Sequence, residues 1–107
     1  YNVDRLAQAL ALAALGDVAW MQDNARRIVA TRKRVAAELE KRGFRVVPSA
    51  SNFLFVAPPA GTTAAGLFAG LRAKKILVRY FPGKRTGDYL RVSIGTDAQM
   101  DAFLAAI

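Results

Sequence analysis

The 107 residues predict an α+β domain, a small antiparallel or mixed sheet of about four strands with helices packed on one of its faces. Three observations carry this. Apolar residues recur with helical spacing up to Lys41, then alternate with period two from Phe44 onward. The elements run α-α-β-β-α-β-β-α, without the strict alternation of a parallel sheet. Pro82-Gly83-Lys84-Arg85-Thr86-Gly87-Asp88 is too short for a crossover, which favours antiparallel pairing of the last two strands.

Residues 4–15, rich in Ala with Leu6, Leu10 and Leu12, read as a first helix. Gly16 interrupts it and Asp17 can cap the next. From Val18 to about Lys41 a long second helix carries Met21, Ala25, Ile28, Val35 and Leu39 on one stripe, widened by Val29 and Ala36. Arg32 falls in that stripe and is expected to snorkel to its rim. Lys41 and Arg42 suit the negative helix end, and Gly43 terminates it. Phe44–Val47 is a strand stopped by Pro48, and Asn52–Val56 a second strand. After the turn Pro58-Pro59-Ala60-Gly61, Thr62 or Thr63 caps a helix running to about Lys75. Ile76–Phe81 and Tyr89–Ile94 complete the sheet. Thr96-Asp97-Ala98-Gln99 is a Thr-x-x-Gln capping box for a last helix that buries Met100, Phe103, Leu104 and Ile107.

The composition excludes several chemistries. There is no Cys and no His, which removes disulfides, thiolate nucleophiles, zinc sites and any Ser-His-Asp triad within the chain. No apolar run approaches the roughly 20 residues that span a bilayer, so no membrane partner is expected. The apolar share of 53% exceeds the roughly 45–50% usual for a domain, and hints at a face covered by something else. The opening Tyr1-Asn2-Val3-Asp4-Arg5 lacks a starting Met and a basic leader, so a piece of a longer protein is expected. A net charge of +8 raises nucleic acid as a partner. Against it, Arg26, Arg27, Arg32, Lys33 and Arg34 spread around their helix among Asp23, Glu38 and Glu40, and the aromatics are not expected to alternate with basic residues on one sheet face. A free-standing basic α/β module that binds nucleic acid is the competing reading from another class.

The most informative segment is Leu90-Arg91-Val92-Ser93-Ile94-Gly95-Thr96. Leu90, Val92 and Ile94 point one way, and Tyr89, Arg91 and Ser93 the other. Arg91 thus stands mid-strand on the face away from the helices, where a guanidinium can grip a carboxylate or phosphate by a planar two-point contact. From spacing alone it also reads as an ordinary exposed strand residue. Arg79 stands on the neighbouring strand. Asn52 is expected to fix the turn from Ser49 to Ser51, Phe53 and Phe55 to pack against helices or another domain, and Tyr80 and Tyr89 to be structural.

Tyr1-Asn2-Val3 ahead of the Ala/Leu helix, Gly43-Phe44, Pro48-Ser49, Ser51-Asn52-Phe53-Leu54-Phe55-Val56, Ile76-Leu77-Val78-Arg79 and the Leu90–Thr96 strand come in one order. This succession resembles the C-terminal small domain of the histidinol-phosphate aminotransferase family, pyridoxal-phosphate enzymes of fold type I in the aspartate-aminotransferase superfamily. The resemblance implies a single small domain over residues 1–107, with residues 1–17 connecting to a larger domain. That absent domain would hold pyridoxal 5'-phosphate on its Schiff-base Lys, so no catalytic, cofactor or metal residue is expected here and the segment alone should be inactive. It further implies a cytoplasmic homodimer transferring an amino group between histidinol phosphate and 2-oxoglutarate (or glutamate, in reverse), for histidine biosynthesis. Arg91 matches the superfamily's carboxylate-gripping arginine. Arg79 is the second substrate candidate, with a salt bridge to Asp88 or to the larger domain as its structural alternative. An aromatic-amino-acid aminotransferase or a phosphothreonine-type decarboxylase would carry a closely similar small domain.

Overall fold

A computed structural model describes residues 2–107; Tyr1, which opens the first quoted motif, lies outside the described residues. Side chains set where the helices start. Asp4 accepts from the Ala7 N–H at 2.9 Å to begin α1 (Arg5–Leu15), and Asp17 accepts from the Trp20 N–H to begin α2 (Val18–Lys41). Thr63, rather than Thr62, accepts from the Gly66 N–H and begins α3 (Ala64–Ala73). Thr96 and Gln99 form the full reciprocal capping box of α4 (Asp97–Ala106). Gly43, at φ 80°, ends α2: the Phe44 N–H reaches back to the Leu39 carbonyl at 3.0 Å, a 6→1 closure that needs the left-handed residue.

Four strands form one antiparallel sheet: β1 (Arg45–Val47), β2 (Phe53–Ala57), β3 (Arg79–Tyr80) and β4 (Leu90–Ser93), in the order β1-β2-β4-β3. The last two strands pair antiparallel, as their short connection requires. Leu54, Val56, Leu90 and Val92 turn inward onto Val35 and Leu39 of α2, Leu71 of α3, and Met100, Phe103 and Leu104 of α4. All helices that contribute buried residues therefore share one side of the sheet. Among the described residues no helix lies over the opposite face.

Four expectations change. β3 keeps two residues instead of Ile76–Phe81, because the chain leaves α3 through Lys75 and diverges from β4 before Arg79. The gap is a cavity of about 410 Å³ lined by Leu77, Val92, Ile94 and Met100 among others. In α2 only Thr31, Val35 and Leu39 are buried, while Met21, Ala25 and Val29 are exposed. Arg32 does not snorkel outward: its Nη1 donates to the Ser51 carbonyl at 2.5 Å and braces the β1–β2 connection. Ile107 is half-buried rather than part of the sealed core. With α1 and the first half of α2 projecting, the radius of gyration is 16.8 Å, against about 13 Å for a compact chain of this size.

Candidate functional site

Register assembles the site from three strands. Arg91 lies directly opposite Phe55 on β2 and opposite Arg79 on β3, so all three side chains stand on the uncovered face. The alternation adds Phe53, Tyr89 and Phe81, and β1 contributes Arg45, opposite Ala57. The guanidinium of Arg91 sits 5.4 Å from the Phe53 ring centre and 5.7 Å from that of Phe81. Arg79 is 5.4 Å from the same Phe81 ring. Beside them Phe55 and Tyr89 stack at 4.5 Å, and Arg45 lies 4.8 Å from the Tyr89 ring. These are cation–π distances, at which the ring quadrupole attracts each guanidinium.

Two like charges directly opposite on neighbouring strands repel. Among the described residues neither Arg79 nor Arg91 is in an ion pair; all the ion pairs lie on helices. The expected alternative of an Arg79–Asp88 bridge is not among them. Arg91 Nε is buried without any hydrogen-bond partner, and such a donor is costly to leave unmade. The rings beside Arg91 supply no acceptor for that N–H. The arrangement sets two guanidinium groups beside aromatic rings and, among the described residues, without an acidic partner.

The site is an open face, not a cleft. The nearby cavities, one between β4 and α4 and one of about 640 Å³ lined by Arg45, Tyr80 and Asp88 among others, do not include Arg79 or Arg91. On the helical side, hydrogen bonds to Asp101 and Asp97 raise the pKa of Arg34, and Arg34 with Thr31 holds the Asp97 carboxyl below the usual carboxylate range. Among the described residues no cluster of acids could hold a metal ion, and no helix is long and apolar enough to cross a membrane.

Several assignments are corrected. Of the two expectations for Phe53 and Phe55, packing against helices is overturned: both stand on the open face, against Arg91 and Tyr89. Tyr80 does pack inward, 5.9 Å from Phe68. The Ser49–Ser51 turn is tied by its own hydroxyls, with Ser49 Oγ donating to the Phe53 carbonyl at 2.6 Å, while Asn52 contributes its backbone carbonyl to the Ile94 N–H. Basic and aromatic residues do interleave on this face, contrary to the sequence expectation. Their rings are nonetheless committed to one another and to guanidinium groups, whereas base stacking needs a free π-face. The sequence reading missed Phe81, although its position two residues after Arg79 puts it on the same side of the strand.

The family model for aminotransferase class I and II matches residues 1–107. Histidinol-phosphate aminotransferase 2 of Rhizobium meliloti is 44% identical over 107 residues, covering all of this chain and 30% of that protein. The crystal structure of the histidinol-phosphate aminotransferase from Clostridium acetobutylicum superposes with a TM-score of 0.86 at 26% identity, over 99% of this chain and 33% of that one. That of the Sinorhizobium meliloti enzyme, in complex with pyridoxal-5'-phosphate, gives 0.83 at 28% identity, over 98% and 29%. The chain thus spans about a third of the length of the relatives it matches. A whole-length family match and a shared fold leave one assignment: the chain belongs to the aminotransferase class I and II family.

Proposed function

We propose that residues 1–107 form the substrate-covering small domain of a pyridoxal-phosphate aminotransferase that moves an amino group between histidinol phosphate and 2-oxoglutarate. The observation that carries this is the opposed pair Arg79 and Arg91, without an acidic partner on the uncovered sheet face. The pair offers several N–H donors and two charges to the anionic end of a substrate. In one half-reaction that end is a phosphate ester, which draws on both arginines; in the other it is the α-carboxylate of glutamate, which the fork of Arg91 satisfies. Anchoring it on a rigid strand fixes how the remaining atoms approach the reacting centre.

The residues on this face do not suit the cofactor itself. No lysine lies on β1 to β4, and the groups presented are arginines and rings. Pyridoxal phosphate, held by the rest of a longer protein, supplies the electron sink for a deprotonated substrate carbon. This segment alone binds the anion but catalyses nothing. Residues 1–17 connect to the larger domain, a reading supported by α1, which buries none of its residues and exposes Leu6, Leu10, Leu12 and Leu15. The working form is a cytoplasmic homodimer.

The test is an amino-transfer assay on the full-length protein. Histidinol phosphate with 2-oxoglutarate should outpace phenylalanine with 2-oxoglutarate by at least about tenfold in kcat/KM. Faster turnover of phenylalanine, or decarboxylation of a phosphothreonine-type substrate, would replace the assignment. Tight oligonucleotide binding with a steep salt dependence would favour a nucleic-acid platform instead.

A further inference from the structure

Among the described residues Phe81 is the one ring that two guanidinium groups share. Its centre is 5.4 Å from Arg79 and 5.7 Å from Arg91, and it is 37% exposed at the end of β3. Its backbone is held as well, since Thr86 Oγ1 donates to the Phe81 carbonyl at 2.8 Å and ties the connecting loop back to it. A ring serving one arginine steadies one side chain. A ring serving two arginines that repel each other does more, because it draws both toward one point.

We infer that Phe81 is a positioning residue that couples Arg79 and Arg91 into a single receptor, and thereby selects a phosphate monoester over a carboxylate. The inference rests on the anion-binding role proposed above. A carboxylate has two oxygens and one charge, which one planar fork satisfies. A phosphate monoester carries close to two charges and three terminal acceptor oxygens, so it gains from a second guanidinium held nearby. Without the ring, the opposed arginines relax apart into solvent whenever the anion is absent. Bringing both long side chains back then opposes binding. The loss falls on the ligand that uses both arginines. A ligand that uses Arg91 alone, braced also by Phe53 at 5.4 Å, is affected little.

The experiment uses the full-length enzyme with separate KM values for histidinol phosphate and glutamate, and inhibition by inorganic phosphate. Phe81→Leu is expected to raise the phosphate-ester KM and weaken phosphate inhibition by about tenfold, a typical cation–π loss at a partly desolvated site, with the glutamate KM within about twofold. Phe81→Tyr, which keeps a π-face, should restore the phosphate-ester KM. Phe81→Met keeps apolar bulk without the ring, and should repeat the Leu result if Phe81→Leu folds poorly. Equal rises in both KM values, or no change in either, overturn the inference. Arg91→Lys and Arg79→Lys separate the two levels. If they raise the phosphate-ester KM while the Phe81 variants do not, only the coupling fails. If neither Lys variant changes any constant, the anion-binding role itself fails.

Discussion

Arg34, on the helical side of the domain, and Arg91, on the open side of the sheet, are the same residue type in opposite surroundings. Arg34 donates from Nη2 to Asp97 at 2.9 Å and from Nη1 to Asp101 at 2.7 Å, clamping α2 to α4, and Thr31 Oγ1 donates to the same Asp97 oxygen. Arg32 and Arg42 likewise end on carbonyls, of Ser51 and Leu104. Arg91 and its opposite number Arg79 have rings near them and, among the described residues, no ion pair. A helix-side guanidinium completes its hydrogen bonds within the domain and so serves stability. On the proposed function, a face-side guanidinium takes its partner from a substrate instead. Removing one kind should change folding and spare binding; removing the other should do the reverse.

The largest effect is expected at Arg91. In the full-length enzyme Arg91→Lys should lower kcat/KM for both substrates by an amount equivalent to about 2–5 kcal/mol, because Lys keeps the charge and loses the fork. The thermal midpoint should stay close to the parent, since no intramolecular hydrogen bond or ion pair is lost and Lys keeps a cation beside the rings. Parental kinetics would break the comparison. Arg32→Met comes next and points the other way: it leaves the Ser51 carbonyl without its donor, and should cost about 1–3 kcal/mol in denaturant unfolding with KM unchanged. Thr96→Ala removes the hydroxyl that starts α4 and brings Asp97 to Arg34, at a cost of about 1 kcal/mol by the same measurement.

Acid titration gives the smallest effect. Arg34 and Thr31 depress the Asp97 carboxyl, and Lys41 depresses that of Glu38. A depressed carboxyl contributes stability that is fully present above its unfolded pKa, near about 4, and is lost as pH falls through the lower folded value. Unfolding midpoints should therefore drop below about pH 4, with a shallower drop in Arg34→Gln. These groups are well exposed, so the difference is modest and shrinks further in high salt.

The element order, three of the four helix caps and the facing of β4 were legible because each depends on neighbours along the chain. Thr96-x-x-Gln99 is a local reciprocal contact, and period two sorts Leu90 and Val92 from Arg91 without knowledge of the other strands. The extent of burial along α2 was not legible. An amphipathic stripe says which side is apolar, not how far the covering sheet reaches. At about 1.5 Å per residue α2 is roughly 36 Å long, whereas a five-residue strand such as β2 covers about 17 Å, so Met21 and Ala25 lie beyond the sheet. The same limit hid the brace from Arg32, whose acceptor is a loop carbonyl 19 positions away. The cluster on the open face needed the register of β2, β4 and β3 together. Alternation placed Arg91 on one face of its own strand, but only pairing put the rings of Phe53 and Phe81 beside the guanidinium groups.

The most direct test is a crystal structure of the full-length enzyme with histidinol phosphate bound. Both Arg91 and Arg79 should lie within about 3 Å of phosphate oxygens, nitrogen to oxygen. A substrate phosphate held by other residues, with Arg91 paired instead to a carboxylate elsewhere in the protein, would contradict the account.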